Sequence, residues 1–527
     1  MVDIFSNLLT WTLLLPVLGA VAALIAPEKI ARWLALAFAT ATVVITLVIF
    51  FQILGSGQGF GSLSDIRDGV NVSWIQFTAG SLHFNVNYNL GVDGLSLPMV
   101  FLNALLTMLA VIGGWKKTRI KEYLALLLFL EAGVMGVFLA LDLFLFFLFW
   151  EVELAPMFLL IGIWGSDTEK HGMPGRIYSA WKFLIYTFFG SIFMFIGILV
   201  AYFRAGGQDA SLLHFAQSQS ALSGNITFLG ITVGAQLLIF LLIFMAFAIK
   251  IPMFPFHTWL PDAHTDAPTE VSVMLAGVLL KMGAYGLIRI CLSVAPAGVQ
   301  AFAPWLAVIA VINILYGAAI CLAQTDMKKL IAYSSVSHMG VILLGVAAAA
   351  GLSSPTFRSM ALTGATVQMF SHGIITGMLF FSVGVIYDHA HTREIKVFGG
   401  IAKRMPLLAT LFTFAGLASL GLPGLAGFVA EYMTFTSSFA SWPVVTIISV
   451  FTMILTAAYL LWMLKRVFYG PFNAKWNWLP DANFREVIPL FVLAVLIIFV
   501  GIYPSVLIDM ITPTVQALMH GFGVAIK

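Results

Sequence analysis

The sequence predicts an all-α polytopic membrane protein, and three observations carry that prediction. Of 527 residues, 61% are hydrophobic and only 9% charged, too few ionic side chains to coat a water-soluble globule of this length. Apolar residues gather in runs of about 20, the length a helix needs to cross a bilayer. The links between most runs are short, which demands tight helical hairpins, and a soluble enzyme is excluded. Two cysteines, Cys291 and Cys321, both lie in apolar runs. They can build neither a disulfide framework nor a four-ligand iron–sulfur cluster, so any redox chemistry belongs to other chains. The net charge of +3 carries no message about nucleic acid, because the basic residues sort by side of a membrane.

Fourteen spans follow in order: 8–26, 31–53, 91–113, 122–141, 142–165, 180–203, 229–251, 268–293, 300–323, 330–352, 360–386, 405–436, 444–464 and 486–510. No cationic stretch precedes span 1 and no small-residue cleavage pattern follows it, so it reads as a span rather than a signal peptide. Spans 2 and 3 are separated by the largest excursion, about Gly55 to Leu90. There Val70-Asn-Val-Ser-Trp74 and Phe84-Asn-Val-Asn-Tyr88 alternate at period two, predicting a small hairpin on the membrane surface. Pro156 in span 5 frees the carbonyl of Val152. Span 7 is interrupted at Lys250-Ile-Pro-Met-Phe-Pro-Phe-His257 and span 12 at Leu420-Gly-Leu-Pro-Gly-Leu-Ala-Gly427. One charge flanks each break, Lys250 before the first and Glu431 after the second. Paired Pro/Gly-broken helices point to an inverted-repeat transporter.

Orientation follows from the cations. The links after spans 1, 3, 5, 9, 11 and 13 hold 18 of the 26 Lys and Arg residues, Lys328 among them. The opposite side has Arg67, Arg204, Arg289, Arg358 and Lys527. Both termini are therefore expected on the non-cytoplasmic side of a cytoplasmic (inner) membrane, or of a thylakoid membrane in a cyanobacterial source.

An ionisable side chain at membrane depth costs at least ~2.5 kcal/mol, faces the bundle interior or water, and is functional by default. At least seven fall within spans, among them Glu131, Glu151, Glu153, Lys182, Lys250, Lys281 and Glu431. His338 and His372 add groups that titrate near neutrality. Spread over so many helices, they form no single metal shell and read as a file of proton-exchanging sites. Glu151 and Glu153 stand roughly 200° apart on a helix, so only one can point directly at a given partner. Glu153 near an interface is also readable as merely solvated. A dry ammonium is disfavoured and an adjacent carboxylate restores it, so a movable Glu–Lys pair can gate a proton. Glu151 and Lys250 are the candidates.

Other features read as structural. Asp388-His-Ala-His391 reads as a solvated cytoplasmic loop rather than a metal site. His257, Asp262 and His264 form a loose cluster at the entry to span 8 that reads as structural, with lining a water entrance as the alternative. Ser334, Ser335 and Ser337 lack a nucleophile motif and read as polar lining for a water wire. Neither a P-loop nor a dinucleotide fingerprint occurs.

Several of these motifs resemble the antiporter-like subunits of respiratory complex I. They are Phe146-Phe-Leu-Phe-Trp-Glu-Val-Glu-Leu-Ala-Pro-Met157, Ala248-Ile-Lys-Ile-Pro252, His257-Thr-Trp-Leu-Pro-Asp-Ala-His-Thr-Asp-Ala-Pro-Thr269, Leu280-Lys-Met-Gly-Ala-Tyr285, Gln324-Thr-Asp-Met-Lys-Lys-Leu-Ile-Ala-Tyr-Ser-Ser335 and Leu422-Pro-Gly424 to Glu431. Lys281 in span 8, and a glutamate in span 12 where L- and N-type relatives place lysine, make the M-type (chain 4) the better match. The resemblance implies two inverted five-helix repeats, spans 4–8 and 9–13. One membrane domain would then divide into 1–121, 122–293, 300–468 and 469–527.

For function, the resemblance implies a proton-translocating subunit of a redox-driven NADH (or ferredoxin):quinone oxidoreductase. Glu151 and Lys250 would form the gate, Lys281 with His338 would bridge the halves, and Glu431 would be the terminal site. Lys182, Glu131 and His372 are further relay candidates. Glu153 departs from the pattern and leaves open which carboxylate pairs with Lys250. The resemblance implies no cofactor in this chain, with FMN, iron–sulfur clusters and quinone in partner subunits. Expected partners are the L-type and N-type antiporter-like subunits, the lipid bilayer and protons. The alternative is the D-type subunit of a multisubunit Na⁺/H⁺ antiporter or of an ion-pumping membrane hydrogenase; lysine is expected in span 12 of such antiporters, so Glu431 speaks against it.

Overall fold

The structure, a computed structural model, describes residues 4–55, 67–79, 82–228, 231–351 and 354–524. Lys527 and most of the 55–66 link lie outside the described residues. The long helices are α1 (Leu8–Ile25), α2 (Glu28–Gly55), α3 (Leu97–Gly113), α4 (Ile120–Leu139), α5 (Leu143–Trp164), α6 (Gly175–Arg204), α7 in two pieces (Ala235–Lys250 and Trp259–Asp266), α8 (Thr269–Val294), α9 (Pro296–Ala323), α10 (Met327–Ala350), α11 (Pro355–Ala390), α12 in two pieces (Pro406–Ser419 and Ala426–Ser441), α13 (Pro443–Tyr469), α14 (Phe484–Ile502) and α15 (Ser505–Val524). Among the described residues, 12 helices are long and apolar enough to cross a membrane. The pieces Ala235–Lys250 and Pro406–Ser419 are apolar but shorter, because prolines interrupt α7 and α12. The protein is thus a polytopic all-α membrane protein.

Burial divides the bundle. The apolar windows of α8 and α11 are 100% buried, whereas those of α2, α13 and α14 are 33% buried. A lipid-facing helix can be apolar all round, since tails solvate it as well as Leu does. The helices that carry polar groups must turn them inward. Close approach assists this: a Cβ on Gly373 of α11 would fall 2.9 Å from the carbonyl oxygen of Gly277 in α8, so the two backbones nearly touch.

The excursion after α2 forms a hairpin, β1 (Arg67–Ala79) antiparallel to β2 (Leu82–Val92), in the register Val72↔Tyr88 and Phe77↔Phe84. It is anchored at Asp142, whose carboxylate caps α5 through the amides of Phe144 (2.9 Å) and Leu145 (3.1 Å) and accepts from Asn87 N at 3.2 Å.

Several boundaries differ from the sequence expectation. Residues 231–234 pair as a strand with Asn225–Phe228, so α7 starts at Ala235. Span 14 stops at Ile502, and beyond Pro504 the chain forms a further helix, α15. Asp388 closes α11 rather than lying in a loop, and His389 contacts Glu486 at 3.2 Å. Two cations assigned to links are buried. Lys328 donates to Ala267 O at 2.5 Å, and Arg289, inside α8, pairs with Asp93 at the end of β2. Charge counting misplaces both because a single partner supplied by tertiary packing suffices to bury a cation.

Candidate functional site

The first site forms at the break of α7. Pro252 and Pro255 remove amides from the chain. Asn313 of α9 satisfies what remains: its Oδ1 accepts from Phe254 N at 2.7 Å and its Nδ2 donates to Pro252 O at 3.3 Å. Lys250, the last residue before the break, is fully buried and ion-paired with Glu153, which is equally buried. The ammonium also lies 5.4 Å from the ring centroids of Trp150 and Phe183, a cation–π setting. Around Glu153 the helical hydrogen bonds of α5 are long, 3.4 Å from its amide to Phe149 O and 3.3 Å from Met157 N to its carbonyl, and its carboxylate reaches α7. The expected Glu151–Lys250 pair is therefore corrected. Glu151, half-buried, faces Ser191 of α6 and stands within electrostatic reach of Lys250. Solvation of Glu153 at an interface is excluded by its complete burial.

The second site runs from α8 to α12. Lys281 follows a π-helical turn, Leu275–Leu279, the kind of bulge that often marks functional positions. Its ammonium donates to Ala276 O and lies 2.7 Å from His372 Nδ1. The rings of His372 and His338 stand 5.6 Å apart. His338 Nδ1 is 3.3 Å from Glu431 Oε1, and its Nε2 is 3.3 Å from Ser419 Oγ. Lys281, His372, His338 and Glu431 thus form a file across four helices, bonded or in contact at both ends, with the two imidazoles adjacent but not hydrogen-bonded to each other. The expected Lys281–His338 contact is mediated by His372. At the break of α12, Gly421 has φ +81°, and a Cβ there would lie 3.0 Å from Glu431 Oε2.

The remaining candidates stand apart. Lys182 of α6 bonds Asp262 at 2.7 Å, and Lys170 bonds both Asp262 (3.1 Å) and Asp266 (2.7 Å). This network clamps the second piece of α7. Glu131 in α4 is completely buried, and neither carboxyl oxygen has a hydrogen-bond partner among the described residues. His264, stacked on Phe380 at 4.6 Å, is likewise buried with both ring nitrogens unpartnered there. Sequence reasoning missed the Lys117–Glu270 pair (3.2 Å) with Tyr123 OH donating to Glu270 at 2.9 Å. Glu270 is the third residue of the predicted span 268–293 and was the available signal. No group of three or more metal-ligating side chains occurs among the described residues.

The arrangement agrees with the comparisons. Residues 140–456 match the family described as NADH:quinone oxidoreductase/Mrp antiporter, TM. The chain is 41% identical over 502 residues to NADH-quinone oxidoreductase subunit M of Rhodobacter capsulatus, covering 94% of this chain and 92% of that one. It is 38% identical to NAD(P)H-quinone oxidoreductase chain 4 of Gloeobacter violaceus, covering 97% and 92%. Its fold superimposes on a chain of respiratory complex I from Thermus thermophilus with a TM-score of 0.81 at 27% identity, covering 97% of this chain and 99% of that one.

Proposed function

We propose a function from one premise: the chain belongs to the NADH:quinone oxidoreductase/Mrp antiporter family of transmembrane proteins. It is a membrane subunit of an NADH-quinone oxidoreductase, resides in a multisubunit membrane complex, and moves protons. The observation that carries this is the buried ionisable file interrupted by two helix breaks, Glu153–Lys250 at the first and Lys281–His372–His338–Glu431 at the second. Such groups are too expensive at membrane depth to be packing elements.

In this reading Lys250 gates the first half by exchanging between Glu153 and Glu151. Its proton passes towards Lys281, then through His372 and His338 to Glu431. Imidazole suits the middle of such a file, because one ring nitrogen accepts while the other donates. The redox step occurs elsewhere: FMN, iron–sulfur clusters and quinone belong to partner subunits, and L-type and N-type neighbours flank this chain. The two breaks support a division into inverted repeats spanning α4–α8 and α9–α13, with Asp142 and Asp326 capping the second helix of each. The cation distribution supports a cytoplasmic membrane with both termini outside. The test is Lys250→Ala in the whole complex, assayed in inverted vesicles with NADH. Proton uptake is expected to collapse, and pumping at the wild-type rate overturns the reading.

A further inference from the structure

A cavity of about 740 Å³ opens between α11, α12 and α15, at the end of α11 away from the cation-rich links. Thr356, Ser359, Met360 and Thr363 line it from one face of α11, at the i, i+3, i+4, i+7 spacing of a helix. From the far wall, α15 contributes Gln516 and His520. That helix is amphipathic: Leu507, Ile511, Val515 and Leu518 are buried against the bundle, while Gln516 and His520 are exposed at the cavity.

The electrostatics of this cavity are one-sided. Arg358, whose Nε donates to Ala349 O at 2.7 Å, lines it together with His520, and among the described residues no Asp or Glu does. The 36-residue helix α11 begins here at Pro355, and no side chain caps its first amides, which attract an anion. Deeper in, Thr363 is 1% exposed, yet its Oγ1 has no hydrogen-bond partner among the described residues. Buried hydroxyls are nearly always bonded, so this one is free to donate to an acceptor that enters the cavity. It lies roughly 7 Å below Arg358 along the helix axis. Met360, Met433 and Met519 complete the lining, and flexible thioether side chains adapt to alkyl chains. Phe357 and Phe439 present exposed apolar surface on α11 and α12.

We propose that this cavity binds one anionic phospholipid. Its phosphodiester sits at Arg358 and the first amides of α11, a glycerol ester carbonyl accepts from the Thr363 hydroxyl, and the acyl chains leave over the methionines into the bilayer. Free phosphate would use the first contact alone. The ammonium of a zwitterionic lipid would meet Arg358 and His520 with no carboxylate to balance it, so a net negative headgroup is selected. Binding is non-covalent and independent of the proton-transfer reading, and it makes α15 the clasp of a lipid site.

Photolabelling of the whole complex tests this without relying on turnover. The complex is placed in phosphatidylcholine nanodiscs doped with phosphatidylglycerol carrying a diazirine in its acyl chain, and adducts are located by peptide mass spectrometry. Adducts are expected within 355–363, 433 and 512–520. Excess unlabelled phosphatidylglycerol should chase them, whereas phosphatidylethanolamine and inorganic phosphate should not. Arg358→Gln should lower labelling about tenfold, the loss of one bond to a charged group. Gln516→Glu changes an exposed residue, so assembly should persist on a native gel, and the added carboxylate should repel the headgroup and lower labelling severalfold. That variant keeps the test decisive if Arg358→Gln fails to assemble. Wild-type labelling in Gln516→Glu, equal labelling by a diazirine phosphatidylethanolamine, or a chase by inorganic phosphate overturns the site. So does a benzophenone placed at position 516 that captures a neighbouring subunit instead of lipid.

Discussion

The two helix breaks solve the same structural problem with opposite chemistry. At the break of α7 a cation sits against a fully buried carboxylate and two aromatic rings, with Asn313 tying off the loose backbone. At the break of α12 a carboxyl group sits against an imidazole, which is itself bonded to a serine hydroxyl, and beside a glycine with positive φ. The first is a dry, matched ion pair that holds its charges until something disturbs it. The second sets a carboxyl group beside an imidazole, whose two ring nitrogens can accept on one side and donate on the other. One fold therefore provides a latch in one half and a relay in the other.

The comparison can be broken most decisively at the latch. Lys250→Ala should lower NADH-driven proton pumping by about tenfold or more, since the buried ammonium is the exchanging group of the first half. The complex should still assemble, as Glu153 can take up a proton rather than remain a bare charge; a blue-native gel checks this beside the pumping assay. Glu153→Gln should approach that loss, and Glu151→Gln should lose less, because only Glu153 touches Lys250. A silent Glu153→Gln beside an inactive Glu151→Gln would reverse the assignment and make the observed pair a resting position.

At the relay, Glu431→Gln keeps volume and hydrogen bonding but cannot ionise. Pumping and quinone reduction should fall together when measured in the same vesicles. Normal rates of both would remove Glu431 from the route. Gly421→Ala is a smaller perturbation: placing a side chain at φ +81° costs roughly 1–2 kcal/mol. It also crowds Glu431, so the thermal midpoint should drop and pumping should weaken without vanishing.

The smallest effect lies outside both sites, at the hairpin anchor. Burial pushes the Asp142 carboxyl up to about 6, against the amides of Leu145, Asn87 and Phe144, which pull it down. A raised carboxyl pKa means that the folded state holds the proton more tightly, so this contribution to stability is complete below pH 3.8 and is lost as pH rises through about 6. Between pH 5 and 7.5 the wild type should therefore lose about 1.4 kcal/mol relative to Asp142→Asn. Melting curves of the two proteins at both pH values decide it, and parallel pH dependence would refute the assignment.

Much of this was legible from residues alone. Pro252 and Pro423 locate the breaks, because a missing amide interrupts a helix whatever surrounds it. The alternation in Val70–Trp74 and Phe84–Tyr88 marks the hairpin that β1 and β2 form. The charges in apolar runs single out Lys250, Lys281 and Glu431, since insertion energy depends mainly on residue type and depth. Arg289 and Lys328 were misplaced by the same reasoning, as each owes its burial to a partner distant in sequence, Asp93 and the Ala267 carbonyl.

Local chemistry thus determined the membrane class, the helix breaks and the roster of buried ionisable groups, all of which depend on composition and on spacing along the chain. Tertiary structure decided who meets whom. Helical periodicity separates Glu151 from Glu153 but is silent on which faces α7, and only the packing of α5 against α7 selects Glu153 as the partner of Lys250. Likewise, residues 281, 338, 372 and 431 lie on four helices, and nothing in their spacing puts His372 between Lys281 and His338. That order comes from the close packing of α8 on α11 at Gly277 and Gly373, where the absence of two Cβ atoms lets the backbones approach and brings the lysine to the imidazole.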